Sequence, residues 1–202
     1  EYNRNGAMTV LGDLAQSIYI HHGIAGWEDL REPLGGRALH TEHIRESYRS
    51  TEQLVRYTNA ILARTGTVAG FLPEPIPRQG TNPSANAFRT LAELATGVAA
   101  LVRKETRDAS PSIAIVCKTL AGCRALDQAL AAAGFTGYQF VQDRDTEYRG
   151  ETVLIPAYLT KGLEFDTVII ADADDQTYAP DQLNTRLLYV ALTRAAHALH
   201  VC

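Results

Sequence analysis

Thr152-Val153-Leu154-Ile155-Pro156-Ala157, then nine connecting positions that include Thr160, Lys161, Gly162, Glu164 and Asp166, then Thr167-Val168-Ile169-Ile170-Ala171, is the stretch that decides the fold. Each run is short, apolar after its opening threonine and rich in β-branched residues, the pattern of a strand buried on both faces. Ser112-Ile113-Ala114-Ile115-Val116-Cys117 repeats it upstream, and amphipathic helical stretches alternate with these runs. Such alternation builds an α/β fold: a mostly parallel sheet with helices on both faces.

Working outward, strands are predicted near Ala7 to Gly12, Ala38 to Ile44, Ser112 to Cys117, Gly137 to Val141, Thr152 to Ala157, Thr167 to Ala171 and His197 to Cys202. Ser50-Thr51-Glu52-Gln53 reads as a capping box opening a helix that runs to about Arg64 and stops at Gly66. Residues 66–83 hold three glycines and four prolines and read as a surface connection. Further helices are predicted from about Ser84 to Arg107, from Leu120 to Ala133, and from about Asp181 to Ala195.

The 202 residues, 46% hydrophobic and 21% charged, are enough for one well-buried core and exclude disordered, collagenous and coiled-coil classes. No run is long enough to cross a bilayer and the first residues lack a signal-peptide layout, so the chain reads as cytoplasmic, with no membrane partner. Cys117, Cys123 and Cys202 lack metal-type spacing and read as free thiols. A net charge of −4 restricts any nucleic-acid contact to a local patch. The pairs His40/His43 and His197/His200 fall on strands or strand edges, where their spacing does not converge on a metal, and no metal ligand is assigned.

Four segments carry candidate chemistry. Gly12-Asp13-Leu14-Ala15-Gln16-Ser17-Ile18-Tyr19 ends an apolar run in polar groups, which places Gln16 to hydrogen-bond a phosphate oxygen or a water, although the segment read alone is better taken as an exposed polar turn. Tyr48-Arg49-Ser50-Thr51 sets an aromatic ring and a guanidinium before a helix, suited to stacking and to forked phosphate contacts, or simply a packed tyrosine and a solvated arginine. Lys161-Gly162-Leu163-Glu164-Phe165 offers turn amides to an anion and a carboxylate to sugar hydroxyls, or is a plain turn. Arg194 closes Tyr189-Val190-Ala191-Leu192-Thr193-Arg194-Ala195, where an arginine also complements a helix dipole.

In order and wording these segments resemble motifs III, IV, V and VI of superfamily 1 helicases of the UvrD/Rep type, from Gly12 to Ala195. The resemblance implies a RecA-like fold. It divides the chain into residues 1–35, a segment carrying motif III and left over from a first RecA-like domain, and residues 36–202, a second RecA-like domain with motifs IV, V and VI. It implies ATP and Mg2+ as cofactors, with Gln16 sensing the γ-phosphate, Arg49 and Arg194 as arginine fingers, Tyr48 stacking on adenine, and Gly162 and Glu164 binding the nucleotide. Tyr19, His21, Tyr158 and Lys161 occupy positions that face nucleic acid.

No G-x-x-x-x-G-K-[ST] phosphate loop occurs, so the family's magnesium and triphosphate ligands are expected in the first RecA-like domain of the same polypeptide, and this stretch alone is expected to be inactive. Residue 21 is histidine where DNA translocases of the family carry tryptophan, Pro156 and Tyr158 replace threonine and histidine, and only Gln142 to Glu151 stand where a large insertion is usual. These departures resemble the HelD branch. Two partners are therefore implied, single-stranded DNA or bacterial RNA polymerase.

Overall fold

A computed structural model of the chain describes residues 8–18, 24, 26–36, 38–64, 72–107, 111–148 and 152–202. Among them, six strands form one fully parallel sheet: β3 (Ser84–Ala85), β4 (Ile113–Cys117), β5 (Gln139–Phe140), β6 (Thr152–Pro156), β7 (Phe165–Ile170) and β8 (Ala195–Val201), in the spatial order β3-β8-β7-β4-β6-β5. A separate two-stranded parallel ribbon joins β1 (Glu46–Ser47) to β2 (Glu74–Pro75). The α/β class and the mostly parallel sheet are as the sequence predicts.

Apart from Asp166 near the start of β7, the residues of β4, β6 and β7 are buried, which is why their sequences carry no polar alternation. Residues facing opposite ways along them feed two cores. Ala114, Val116, Val153, Ile155, Val168 and Ile170 pack with α1 (Glu52–Ala63) and α4 (Gln182–Leu192). Ile113, Ile115, Leu154 and Ile169 pack with α2 (Leu91–Glu105) and α3 (Leu120–Ala132).

Several boundaries differ from the sequence reading. The described residues of the strand expected at Ala7 to Gly12 are exposed and lie in no strand, and the run Ala38 to Ile44 likewise joins no sheet among the described residues. Ser84 and Ala85, expected to open the long helix, instead pair with His200 and Val201 at the sheet edge. The helix starts only after Thr90, whose side chain accepts from the Glu93 N–H, a Thr-x-x-Glu signature the periodicity had overrun. Ala195, expected at the end of the last helix, already belongs to β8, which starts there rather than at His197.

The capping box at Ser50 to Gln53 does not form either. Ser50 Oγ donates to the Ala195 carbonyl at 2.6 Å, Thr51 Oγ1 is buried without a partner, and Gln53 accepts from the Gly80 N–H at 2.9 Å. The first amide of α1, Glu52 N–H, donates to the Arg78 carbonyl at 2.8 Å. A tertiary partner has displaced the local one.

The end of the preceding segment is docked as a single 3-10 turn, Leu14–Gln16, capped by Asp13, whose carboxylate accepts from Ala15 N–H. No described helix is long and apolar enough to cross a membrane.

Candidate nucleotide-facing site

The fold brings Gln16, Arg49, Glu164 and Arg194 together from four separated parts of the chain, outside the amino ends of β7 and β8. The pairing of Phe165 with Ala195 sets the arrangement, because it places Glu164 and Arg194 at the same level of adjacent strands. In open α/β sheets ligands commonly bind outside the carboxyl ends of the strands. For Glu164 and Arg194 the opposite end of the sheet is used.

Arg194 is 2% exposed. Its Nε donates to Val190 O at 3.0 Å, Nη1 to Leu163 O at 3.2 Å, and Nη2 both to Thr193 Oγ1 at 3.1 Å and to Gln16 Oε1 at 2.9 Å. Burial, then the like charge of Arg49, pulls its pKa down to about 10, which leaves it fully cationic at neutral pH. A guanidinium so held cannot swing freely. Its direction is set by the end of α4, where two of its acceptors reside.

Arg49 is held differently. Its Nε donates to Glu164 Oε2 at 2.6 Å, and both side chains remain partly exposed. The carboxylate assigned to sugar hydroxyls is thus engaged by the neighbouring arginine. Asp13, Gln16, Arg49, Ser50 and Tyr189 help line a small cleft of about 100 Å³ between the docked turn, α1 and α4. Gln16 is fixed at both ends, because its Nε2 donates to Asp13 Oδ2 at 2.7 Å while its carbonyl accepts from Lys161 Nζ at 3.2 Å.

Tyr48 is 65% exposed and its hydroxyl donates to Glu46 Oε2 at 2.6 Å, a bond that raises the phenol pKa. Its ring face is open to a planar ligand. Gly162 has φ +89°, a left-handed conformation that Leu163 N–H closes by donating to Thr160 O at 3.0 Å, so the turn requires glycine for conformational rather than steric reasons.

Of the residues assigned to nucleic acid, Tyr158 and Lys161 line one cleft of about 440 Å³ with Arg144 and Tyr148, whereas Tyr19 and His21 lie outside the described residues. Among the described residues no group of three or more metal-ligating side chains converges. His40 is exposed beside Glu42, His197 lies 3.5 Å from Asp166, and His200 sits between Ser84 and Glu105.

A crevice passed over in the sequence opens where the connections leave β4 and β7 in opposite directions, at the carboxyl ends of those strands. Asp172 occupies it, accepting the Lys118 N–H at 2.8 Å, while Lys118 Nζ reaches Thr177 O. Burial raises the Asp172 carboxyl from 3.8 to about 6. The folded chain therefore keeps a proton that the unfolded chain releases, so this group's stabilising contribution is full below about pH 4 and is lost as pH rises through about 6. Asp172→Asn is expected to melt above the parent by a margin that is wider at pH 8 than at pH 4. Thermal unfolding at the two pH values checks it, and an equal margin would contradict it.

A family model for the UvrD-like helicase C-terminal domain matches residues 153–202. Among solved structures, the chain is similar to the C-terminal domain of a possible DNA helicase from Lactobacillus plantarum WCFS1, at 31% identity and a TM-score of 0.57, over 77% of this chain and 86% of that one. No curated protein matches. The matched model spans the β6–β7 turn and α4 with Arg194, and at 31% identity the chain covers 86% of the similar helicase domain, so the chain belongs to the UvrD-like helicase C-terminal domain family.

Proposed function

We propose that the chain is the second RecA-like motor domain of a superfamily 1 ATP-dependent DNA helicase or translocase, supplying arginine fingers and nucleotide contacts to ATP held by a first RecA-like domain of the same polypeptide. The observation that carries this reading is the convergence of Gln16 and two guanidiniums of different character, one buried and one at the surface, beside one cleft. Two guanidiniums, one of them bonded to a neutral amide, suit a triphosphate. In phosphoryl transfer, charge builds on the γ-phosphoryl oxygens, and planar guanidiniums stabilise it without being titrated.

The donor set fits the nucleotide and not its metal. The cluster's two carboxylates, Asp13 and Glu164, are already engaged by Gln16 and Arg49, and among the described residues no group of three or more metal-ligating side chains converges. The magnesium ligands are assigned to the first domain. Tyr48, with its exposed ring, takes adenine; Gly162 and Glu164 face the nucleotide across the turn, with Glu164 exchanging its Arg49 partner for ribose hydroxyls.

Single-stranded DNA is the partner this reading favours, approached by Tyr158 and Lys161 across the 440 Å³ cleft and by Tyr19 and His21. The second reading is a HelD-like ATPase that acts on bacterial RNA polymerase. Pro156, buried at the end of β6, and Tyr158 favour it, since they stand where DNA translocases carry backbone-contacting threonine and histidine.

Steady-state ATP hydrolysis by the full-length protein, with and without single-stranded DNA at fixed modest salt, separates the two. Strong stimulation by DNA supports the translocase. Robust turnover indifferent to DNA moves the assignment to the polymerase-bound ATPase, and absence of any turnover removes both.

A further inference from the structure

Arg49 lies between a two-residue strand and the first turn of α1, on backbone that has no sheet of its own to hold it. What holds it is a strap from the proline-rich connection, residues 78–80. Arg78 Nη1 donates to the Arg49 carbonyl at 2.9 Å, and its Nη2 donates to the His197 ring at Nδ1, 3.1 Å away. One guanidinium therefore bridges the backbone of Arg49 to β8. The Arg78 carbonyl, on the same residue, accepts the first amide of α1.

The remainder of the strap locks this arrangement. Gln53 Nε2 donates to Gln79 Oε1 at 2.6 Å, Gln79 Nε2 donates to Glu52 Oε2 at 2.6 Å, and Gly80 N–H donates to Gln53 Oε1 at 2.9 Å. Residue 80 has no room for a side chain, because a Cβ there would stand 2.4 Å from Thr51 Cγ2 and 2.7 Å from Thr51 Cβ. Opposite the strap, Ser50 Oγ is bonded to the Ala195 carbonyl. Arg49 is thus clamped between the strap and the residue that follows Arg194.

We propose that Arg78 is a positioning residue for Arg49, its forked guanidinium fixing the backbone from which Arg49 reaches the nucleotide. The proposal rests on the reading of Arg49 as an arginine finger. Positioning matters here because a displacement of about 1 Å at a reacting group can cost about a hundredfold in rate. The strap holds such a displacement in check without touching the nucleotide.

The test is ATP turnover by the full-length protein. Arg78→Ala is expected to lower kcat by roughly ten- to a hundredfold with KM for ATP changed by less than about twofold. Arg78→Lys should recover only part of the loss, since one ammonium cannot hold the Arg49 carbonyl and the His197 ring together. Gly80→Val, which removes no donor but drives the strap off Thr51, should lower kcat in the same way. If Arg78 acts through Arg49, the Arg49→Ala, Arg78→Ala double variant will be no slower than Arg49→Ala alone.

Parent-like kcat in both Arg78→Ala and Gly80→Val, or additive losses in the double variant, would overturn the proposal. Unchanged turnover in Arg49→Ala itself would instead remove the arginine-finger reading, and the positioning role with it. The two failures are told apart by which single variant keeps its activity.

Discussion

Arg194→Ala in the full-length protein is expected to reduce ATP turnover about a thousandfold or more, the range over which arginine fingers act. The same substitution should also lower the melting temperature. Both effects come from one geometry, because the guanidinium that would face the γ-phosphate is also 2% exposed and satisfies the Leu163 carbonyl and the Gln16 side chain. Leaving such acceptors unpaired in the interior costs about 1–3 kcal/mol each.

The Leu163 bond has a particular consequence. It ties the Lys161-Gly162-Leu163-Glu164 turn to the end of α4, so removal of Arg194 also loosens the residues assigned to the nucleotide. Arg194→Lys should keep a positive charge yet recover little turnover, since an ammonium cannot engage Val190, Leu163, Thr193 and Gln16 at once. Hydrolysis rates and thermal melts on the same preparations check both halves. Parent-like turnover in Arg194→Ala would defeat the assignment.

Arg49→Ala is expected to give a comparable loss of turnover, about a thousandfold, with the fold left nearly as stable as the parent. Its ion pair with Glu164 is short, at 2.6 Å, but both side chains are open to solvent, and exposed pairs contribute only about 0–1 kcal/mol. Affinity for nucleotide should change far less than kcat, because charge on the phosphoryl oxygens is greatest in the transition state. Measuring kcat and KM alongside the melting temperature separates this outcome from a folding defect. A loss confined to KM would mean that Arg49 binds the ground state only.

The contrast between the two arginines was not visible in the sequence. Arg49 and Arg194 each stand in a short motif, and the motifs by themselves gave both residues the same role. Their environments differ because one follows a helix that packs on the sheet, while the other precedes a helix whose start is capped by a distant loop. Burial and its effect on charge are properties of neighbours, and neighbours are set by the fold.

Of the secondary structure, β4, β6 and β7 were legible to within two residues, because a strand covered on both faces must be apolar throughout and nothing else about it varies. The span of α1 was legible from its periodicity, although the capping box read at its start does not form, and α3 was placed to within one residue at each end. Ser84 and Ala85 were misread as helix because two residues carry no periodicity; pairing with β8 alone makes them a strand. The run from Ala38 to Ile44 failed for the opposite reason, having strand-like composition and no edge to join.

Sequence by itself determined the layered α/β architecture and the family, and it singled out Gln16, Arg49, Glu164 and Arg194, which the fold groups together, since hydrophobic pattern and motif wording are local properties of the chain. Only the tertiary structure decided that Gln16 meets Arg194, that Glu164 is engaged by Arg49, that Asp172 fills the crevice between β4 and β7, and that Arg78 reaches the Arg49 backbone. Those contacts join residues as many as 178 positions apart. Their partners are chosen by strand order and register, and a long-range pairing leaves no period or spacing in the sequence from which it could be read.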